Sequence, residues 1–201
     1  MPKSPDLHGA APDTHPTAVL VIDLISDYNF EDGDRLARVA SRLAKPIARL
    51  THRARKSGAP VIYVNDNHGR WRSDYQEFLR RCLHPDSKGK RIVETLALTE
   101  RDYFIFKPKH SGFFATPLVS LLEHFGTRKL VLTGVTTEQC ILFTAMDAYV
   151  REYELLVPSD AVGGLRLSKP ALRHMKAILK AQVMSSTSVR FTRQRSRAHA
   201  K

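Results

Sequence analysis

Cysteine is scarce in this 201-residue chain: Cys82 and Cys140 are the two present. Two thiols cannot build a disulfide framework, so a reduced, cytoplasmic setting is the expectation. No apolar run approaches the roughly 20 residues that a membrane helix needs. Neither GxGxxG nor GxxxxGK[ST] occurs, which removes both glycine-rich phosphate cradles. No serine stands in a GxSxG turn, which removes the usual strand-to-helix serine nucleophile. The opening stretch MPKSPDLHGAAPDTHPT has no apolar core of the secretory type and reads as a disordered lead-in over 1–17. Acids are missing from 190–201, where Arg190, Arg193, Arg195, Arg197 and Lys201 make a solvated basic tail.

The chain has charge in excess. Lys and Arg number 32 against 20 Asp and Glu, a net +12, which raises nucleic acid as a partner. Outside the tail the charge is dispersed, without the aromatic-plus-basic ladder of single-strand binders. A basic soluble surface is therefore the reading, with nucleic-acid binding kept as a lesser alternative. Hydrophobic residues at 42% are enough for one domain with a sizeable core, placed here at 18–189.

Short apolar runs alternate with segments of helical spacing. Ala18–Ile22, Pro60–Val64, Tyr103–Phe106, Leu130–Leu132 and Glu154–Val157 read as buried strands, and 184–191 as a last short one. Arg35–Ser57 carries an apolar face through Leu36, Val39, Leu43, Ile47 and Leu50. Pro46 should kink or divide that helix, and Gly58 should stop it. Ser73–Leu83, Thr116–Phe125, the segment after Thr137 and Ser168–Gln182 read as further helices; His84–Arg91 reads as loop. Ile178 is expected inward. The alternation predicts an α/β fold, a mainly parallel sheet between two layers of helices.

Open parallel sheets bind ligands beyond the carboxyl ends of their strands. Three reactive side chains fall there. Asp23 ends the first strand, although an Asp there can also cap a turn. Lys107 ends the third strand, where Pro108 stops the ladder, and a surface lysine is the plain alternative. Cys140 sits in the first turn of the helix after the fourth strand, where unpaired N–H groups and the helix dipole favour thiolate. The bland reading of Cys140 is a small buried hydrophobe. If the three converge, the ammonium aids the thiolate, and the carboxylate takes its proton and later delivers it to a leaving amine.

AVLVIDLISDYNF with Asp23, FKPKHSGFFATPL with Lys107 and LTGVTTEQCILFTAMDA with Cys140 together resemble the isochorismatase-like cysteine hydrolases. That superfamily includes nicotinamidases, N-carbamoylsarcosine amidase and isochorismatase. The resemblance runs from about Ala18 to Ala161, more loosely to Ser188. It implies a six-stranded parallel sheet of Rossmann-like topology in three α-β-α layers, and an Asp23–Lys107–Cys140 triad. It also implies a cis peptide at Val135–Thr136, with the Thr136 and Cys140 N–H groups as an oxyanion hole. The implied reaction is hydrolysis of a C–N bond, amide or carbamoyl, in a small molecule through a thioester. A homo-oligomer, dimer or tetramer, is implied as well.

Departures from the family pattern narrow this. Ile25 stands where many relatives have Gln. Asp66 and His68 match the start of the nicotinamidase metal motif, but Trp71, Arg72 and Ser73 occupy the region of its second histidine. No metal and no cofactor is expected. Isochorismatase proper lacks the cysteine, so Cys140 argues against vinyl-ether cleavage. Asn67, Trp71 and Arg72 are the candidates for substrate binding, Arg72 for a substrate carboxylate. Cleavage of a non-amide bond at the same site is the alternative.

Overall fold

A computed structural model describes residues 14–192, apart from 70, 72 and 73. The calls on 1–13, on Arg72 and on 193–201 lie outside the described residues. Within the stretch expected as a lead-in over 1–17, the described residues 14–17 are ordered into the fold. Thr17 already begins a strand, and His15 is buried, its N–H bonded to the Phe125 carbonyl.

The strands are β1 (Thr17–Ile22), β2 (Val61–Asp66), β3 (Tyr103–Lys107), β4 (Lys129–Val135), β5 (Glu154–Pro158), β6 (Val162–Gly163) and β7 (Gln182–Met184). They form one sheet in the order β3-β2-β1-β4-β5-β7, and β6 adds two residues beside β4. Every pairing is parallel. Among the described residues the sheet thus has seven strands where six were expected, because Val162–Gly163 is too short to leave a periodic signal.

The apolar runs form strands because both faces are covered. Val19, Val21, Val61, Tyr63 and Val131 face one core. Helices α1 (Gly33–Ser57), α2 (Tyr75–Cys82) and α3 (Lys90–Leu96) close that side. Leu20, Ile22, Ile62, Leu130 and Leu132 face the other. There α4 (Leu118–Phe125), α5 (Leu142–Val150) and α6 (Ser168–Ala177) close it. Alternate residues of one strand therefore anchor opposite layers, which is why β1 is buried throughout.

Several boundaries differ from expectation. Helix α1 runs unbroken through Pro46, held by the buried face Ala40, Leu43, Ile47 and Leu50; one missing N–H does not outweigh that face. It stops at Gly58, as expected, in a left-handed conformation. Helix α3 covers part of what reads as loop, because its apolar set (Ile92, Val93, Leu96) is too brief for periodicity to register. Asp74 caps α2, accepting the Glu77 N–H at 2.8 Å. Helix α6 ends at Ala177, so Ile178 is exposed rather than inward, and Gln182 enters β7 ahead of its expected start.

β1 and β4 lie side by side at the centre, with β2 and β3 beyond one and β5 and β7 beyond the other. The winding direction reverses between them, and such a switch point opens a crevice at the carboxyl edge. The two strands approach closely. Gly134 has φ +110°, and a Cβ there would stand 2.0 Å from the Ile22 carbonyl oxygen.

Candidate active site

The crevice between β1 and β4 is a cleft of roughly 290 Å³, at the small end for ligand pockets. Asp23 follows the last residue of β1 and turns there at φ 49°. Lys107 is the last residue of β3. Cys140 lies in a single π-turn, Thr137–Ile141, between β4 and α5. The peptide bond Val135–Thr136 ahead of that turn is cis. Three strands thus deliver the three side chains to one edge.

They meet. Lys107 Nζ is 2.9 Å from Asp23 Oδ2 and 3.6 Å from Cys140 Sγ, and it donates to the Lys109 carbonyl at 3.2 Å. Asp23 and the Cys140 thiol line the same cleft, and both contact Lys107. Asp23 Oδ1 accepts the Asp66 N–H at 2.7 Å, which fixes the carboxylate against the end of β2. The Asp66 carboxylate is a second counterion, 3.5 Å from Lys107. None of the Lys107 side chain is exposed.

Burial alone would lower the Lys107 pKa; Asp23, Cys140 and Asp66 outweigh it and raise it, so the ammonium persists. Cys140 goes the other way from the sequence expectation. Burial first, then the Asp23 charge, push its thiol up, and Lys107 only partly offsets them. The resting sulfur is thereby held toward the thiol form, and Asp23, which shares Lys107 with it, is the base at hand. The dipole argument fails here because desolvation and an adjacent anion are larger effects than one turn of N–H groups.

The surroundings hold the nucleophile's turn in place. The Glu138 carboxylate accepts the N–H groups of Leu165 and Arg166 at 2.9 and 3.1 Å and the Ser168 hydroxyl at 3.3 Å. Helix α5, which continues from the turn, grips the segment after Lys107. Thr144 Oγ1 accepts the Gly112 N–H at 2.9 Å, and Asp147 accepts the Ser111 hydroxyl at 2.5 Å. Arg151 holds the other Asp147 oxygen at 2.9 Å.

Asp23, Thr136 and Cys140 all line the cleft. Asn67 and Trp71 do not, among the described residues. The Asn67 carboxamide accepts the Gly69 N–H within its own turn, and Trp71 is 79% exposed. The lining that sequence reasoning missed includes Tyr28, Phe30, His110 and Gln139. Tyr28 and Phe30 are two residues apart after β1, with rings 6.2 Å apart, and Phe30 lies 6.4 Å from His68. Position was their signal: Tyr28 and Phe30 follow the strand that delivers Asp23, and Gln139 precedes Cys140. Asp66 Oδ2 is directed at Lys107 and its Oδ1 accepts the His68 N–H at 2.6 Å. Among the described residues no cluster of three or more His, Cys, Asp or Glu is arranged to hold a metal.

Comparison with known proteins places the chain as a whole. The family profile described as "Isochorismatase domain" matches residues 17–188. The uncharacterized isochorismatase family protein YaaI of Bacillus subtilis (strain 168) is 34% identical, over 86% of this chain and 95% of its own. Ureidoacrylate amidohydrolase RutB of Methylorubrum extorquens (strain DSM 6343 / CIP 106787 / DM4) is 28% identical, over 82% of this chain and 77% of its own. Among solved structures, N-carbamoylsarcosine amidase from Thermoplasma acidophilum superposes with a TM-score of 0.69 at 26% identity, over 86% of this chain and 98% of its own.

Proposed function

The chain is a hydrolase that belongs to the isochorismatase family, and we propose that it cleaves a C–N bond, amide or carbamoyl, in a small molecule through Cys140. The observation that carries this reading is the meeting of Asp23, Lys107 and Cys140 in one cleft. The names of its relatives, an amidohydrolase and an amidase, support the bond type.

In the proposed course, Asp23 takes the Cys140 proton as the sulfur attacks the carbonyl carbon. Lys107 offsets the charge that appears on the sulfur. The carbonyl oxygen, now anionic, is received by the N–H groups of Thr136 and Cys140. The C–N bond breaks, and Asp23 passes its proton to the departing nitrogen. Water then attacks the thioester, Asp23 accepting its proton, and the acid leaves with the thiol restored. For substrate contacts, Phe30, His68, His110 and Gln139 stand in the cleft where the sequence candidates Asn67 and Trp71 do not.

A homo-oligomer and a cytoplasmic setting belong to the same proposal. Helix α5 leaves Phe143, Met146 and Val150 exposed, an apolar face suited to a second copy. Both cysteines are free thiols. Sedimentation analysis tests the first point, and a monomer at micromolar concentration refutes it.

The mechanism is tested by a panel of small amides, carbamoyl compounds and esters, read by released ammonia, amine or acid. Turnover of a C–N substrate by the native chain, its loss in Cys140→Ala and an acyl adduct on Cys140 in quenched samples are the expected results. Hydrolysis retained by Cys140→Ala refutes the assignment.

A further inference from the structure

The cleft has unbalanced charge. Asp23 and Asp66 both line it, and one ammonium, Lys107, faces them at 2.9 and 3.5 Å. Two carboxylates against one ammonium leave a net negative wall. Asp23 is the better neutralised, since it has the closer contact with Lys107 and also the Asp66 N–H. Asp66 is the more open, its side chain 32% exposed against 17% for Asp23. Its contact with Lys107 is also the longer of the two, so more of its charge is left unanswered.

Nothing described in the lining answers that charge. Among the described lining residues there is no Lys or Arg; the other ionisable groups are Cys140, Tyr28 and the exposed His68 and His110. Ile25, Leu36 and the Phe30 ring supply apolar wall. The Tyr28 hydroxyl, which could have donated to an anion, donates to the Leu24 carbonyl at 2.9 Å instead.

We propose that Asp66 is a specificity-determining residue, which makes this site select uncharged substrates and turn away those bearing a carboxylate. A like charge in a partly desolvated cleft is repelled more strongly than in water. A corollary rests on the amide-hydrolase reading above. Amide hydrolysis converts an uncharged substrate into an anionic acid, so the wall that admits the first helps to expel the second.

The test uses a pair of thiol reagents that differ in charge and little in shape, iodoacetamide and iodoacetate. In each case the Cys140 thiolate displaces iodide. The rates are read by peptide mass on the full chain at about pH 8, above the range in which histidine ordinarily carries charge. The ratio of the two rates cancels the thiolate population, so it reports the cleft's discrimination alone, and it needs no turnover. It therefore stands or falls apart from the amide reading.

The iodoacetamide-to-iodoacetate ratio at Cys140 is expected to exceed that of N-acetylcysteine by at least about tenfold. Asp66→Asn should bring it within about threefold of the free thiol. Should that variant fail to fold, raising NaCl from about 20 mM to about 1 M on the native chain should compress the ratio instead. A native ratio no higher than that of the free thiol overturns the proposal. So does a high ratio that neither the substitution nor salt reduces, or the absence of Cys140 alkylation by either reagent. A ratio reversed in favour of iodoacetate, and abolished by Arg72→Ala, would overturn it too and assign an anion contact to Arg72.

Discussion

Lys107 Nζ lies 2.9 Å from Asp23 Oδ2 with none of the lysine side chain exposed. The pair does two things at once: it holds the ends of β1 and β3 together across β2, and it sets the charge beside the sulfur. Removing one partner leaves the other charge buried and uncompensated, which costs about 3–5 kcal/mol. Lys107→Met is therefore expected to lose that much stability, measured by urea unfolding, together with all hydrolysis. Adding Asp23→Asn should restore part of the stability and none of the activity. A stable, active Lys107→Met chain would refute the ion pair's role.

Alkaline stability should depend on Cys82. Its thiol, at the end of α2, is fully buried in the core on that side of the sheet, and burial, then Asp27, push its pKa up to about 12, Arg81 only partly offsetting them. In the unfolded chain the thiol titrates near about 8.5. Below that value both states are protonated and there is no difference between them. Above it the unfolded state loses its proton first, so folding stability falls by about 1.4 kcal/mol per pH unit. Cys82→Ala should flatten the decline between about pH 9 and 10. An unchanged slope would show that Cys82 takes no part.

Gly134 should not tolerate a side chain. Its φ of +110° and the 2.0 Å approach of a built Cβ to the Ile22 oxygen leave no room between β1 and β4. Gly134→Ala is expected to cost at least about 2 kcal/mol. Because Asp23 follows Ile22 directly, kcat should fall as well. The melting temperature and the rate on one substrate read the two effects separately.

Glu138 ties the nucleophile's turn to the loop ahead of α6. Burial raises its carboxyl, but the Arg166, Leu165 and Leu167 N–H groups hold it below the ordinary range. Its contribution to stability is thus present above the unfolded value of about 4.3 and is lost as pH falls through the folded one. Glu138→Ala should cost about 2 kcal/mol. It should also speed amide hydrogen exchange at Leu165 and Arg166. Unaltered exchange there would refute the tie.

Much of this was legible in the sequence. The five buried runs had apolar residues on both faces, so their strand character did not depend on partners. Asp23 and Lys107 were found because each stands at the point where an apolar run stops. Tertiary features were harder to read. Nothing local marks β6, two residues long, as a strand, and Pro46 looks disruptive until the buried face around it is seen. For Cys140 the sequence favours thiolate and the structure pushes the other way, since its sequence neighbours show the helix turn but neither the burial nor Asp23. The cleft lining was missed for a related reason. Phe30 and His68 are far apart along the chain, and their rings stand 6.4 Å apart only once β1 and β2 are side by side.

Helix α5 begins just after the sulfur and, through Thr144 and Asp147, grips Gly112 and Ser111 a few residues beyond the ammonium. The turn that carries the sulfur and the segment beyond the ammonium are thereby tied to one helix. A change at Thr144 or Asp147 would be felt in the spacing of the two groups, although neither side chain is in the described cleft lining.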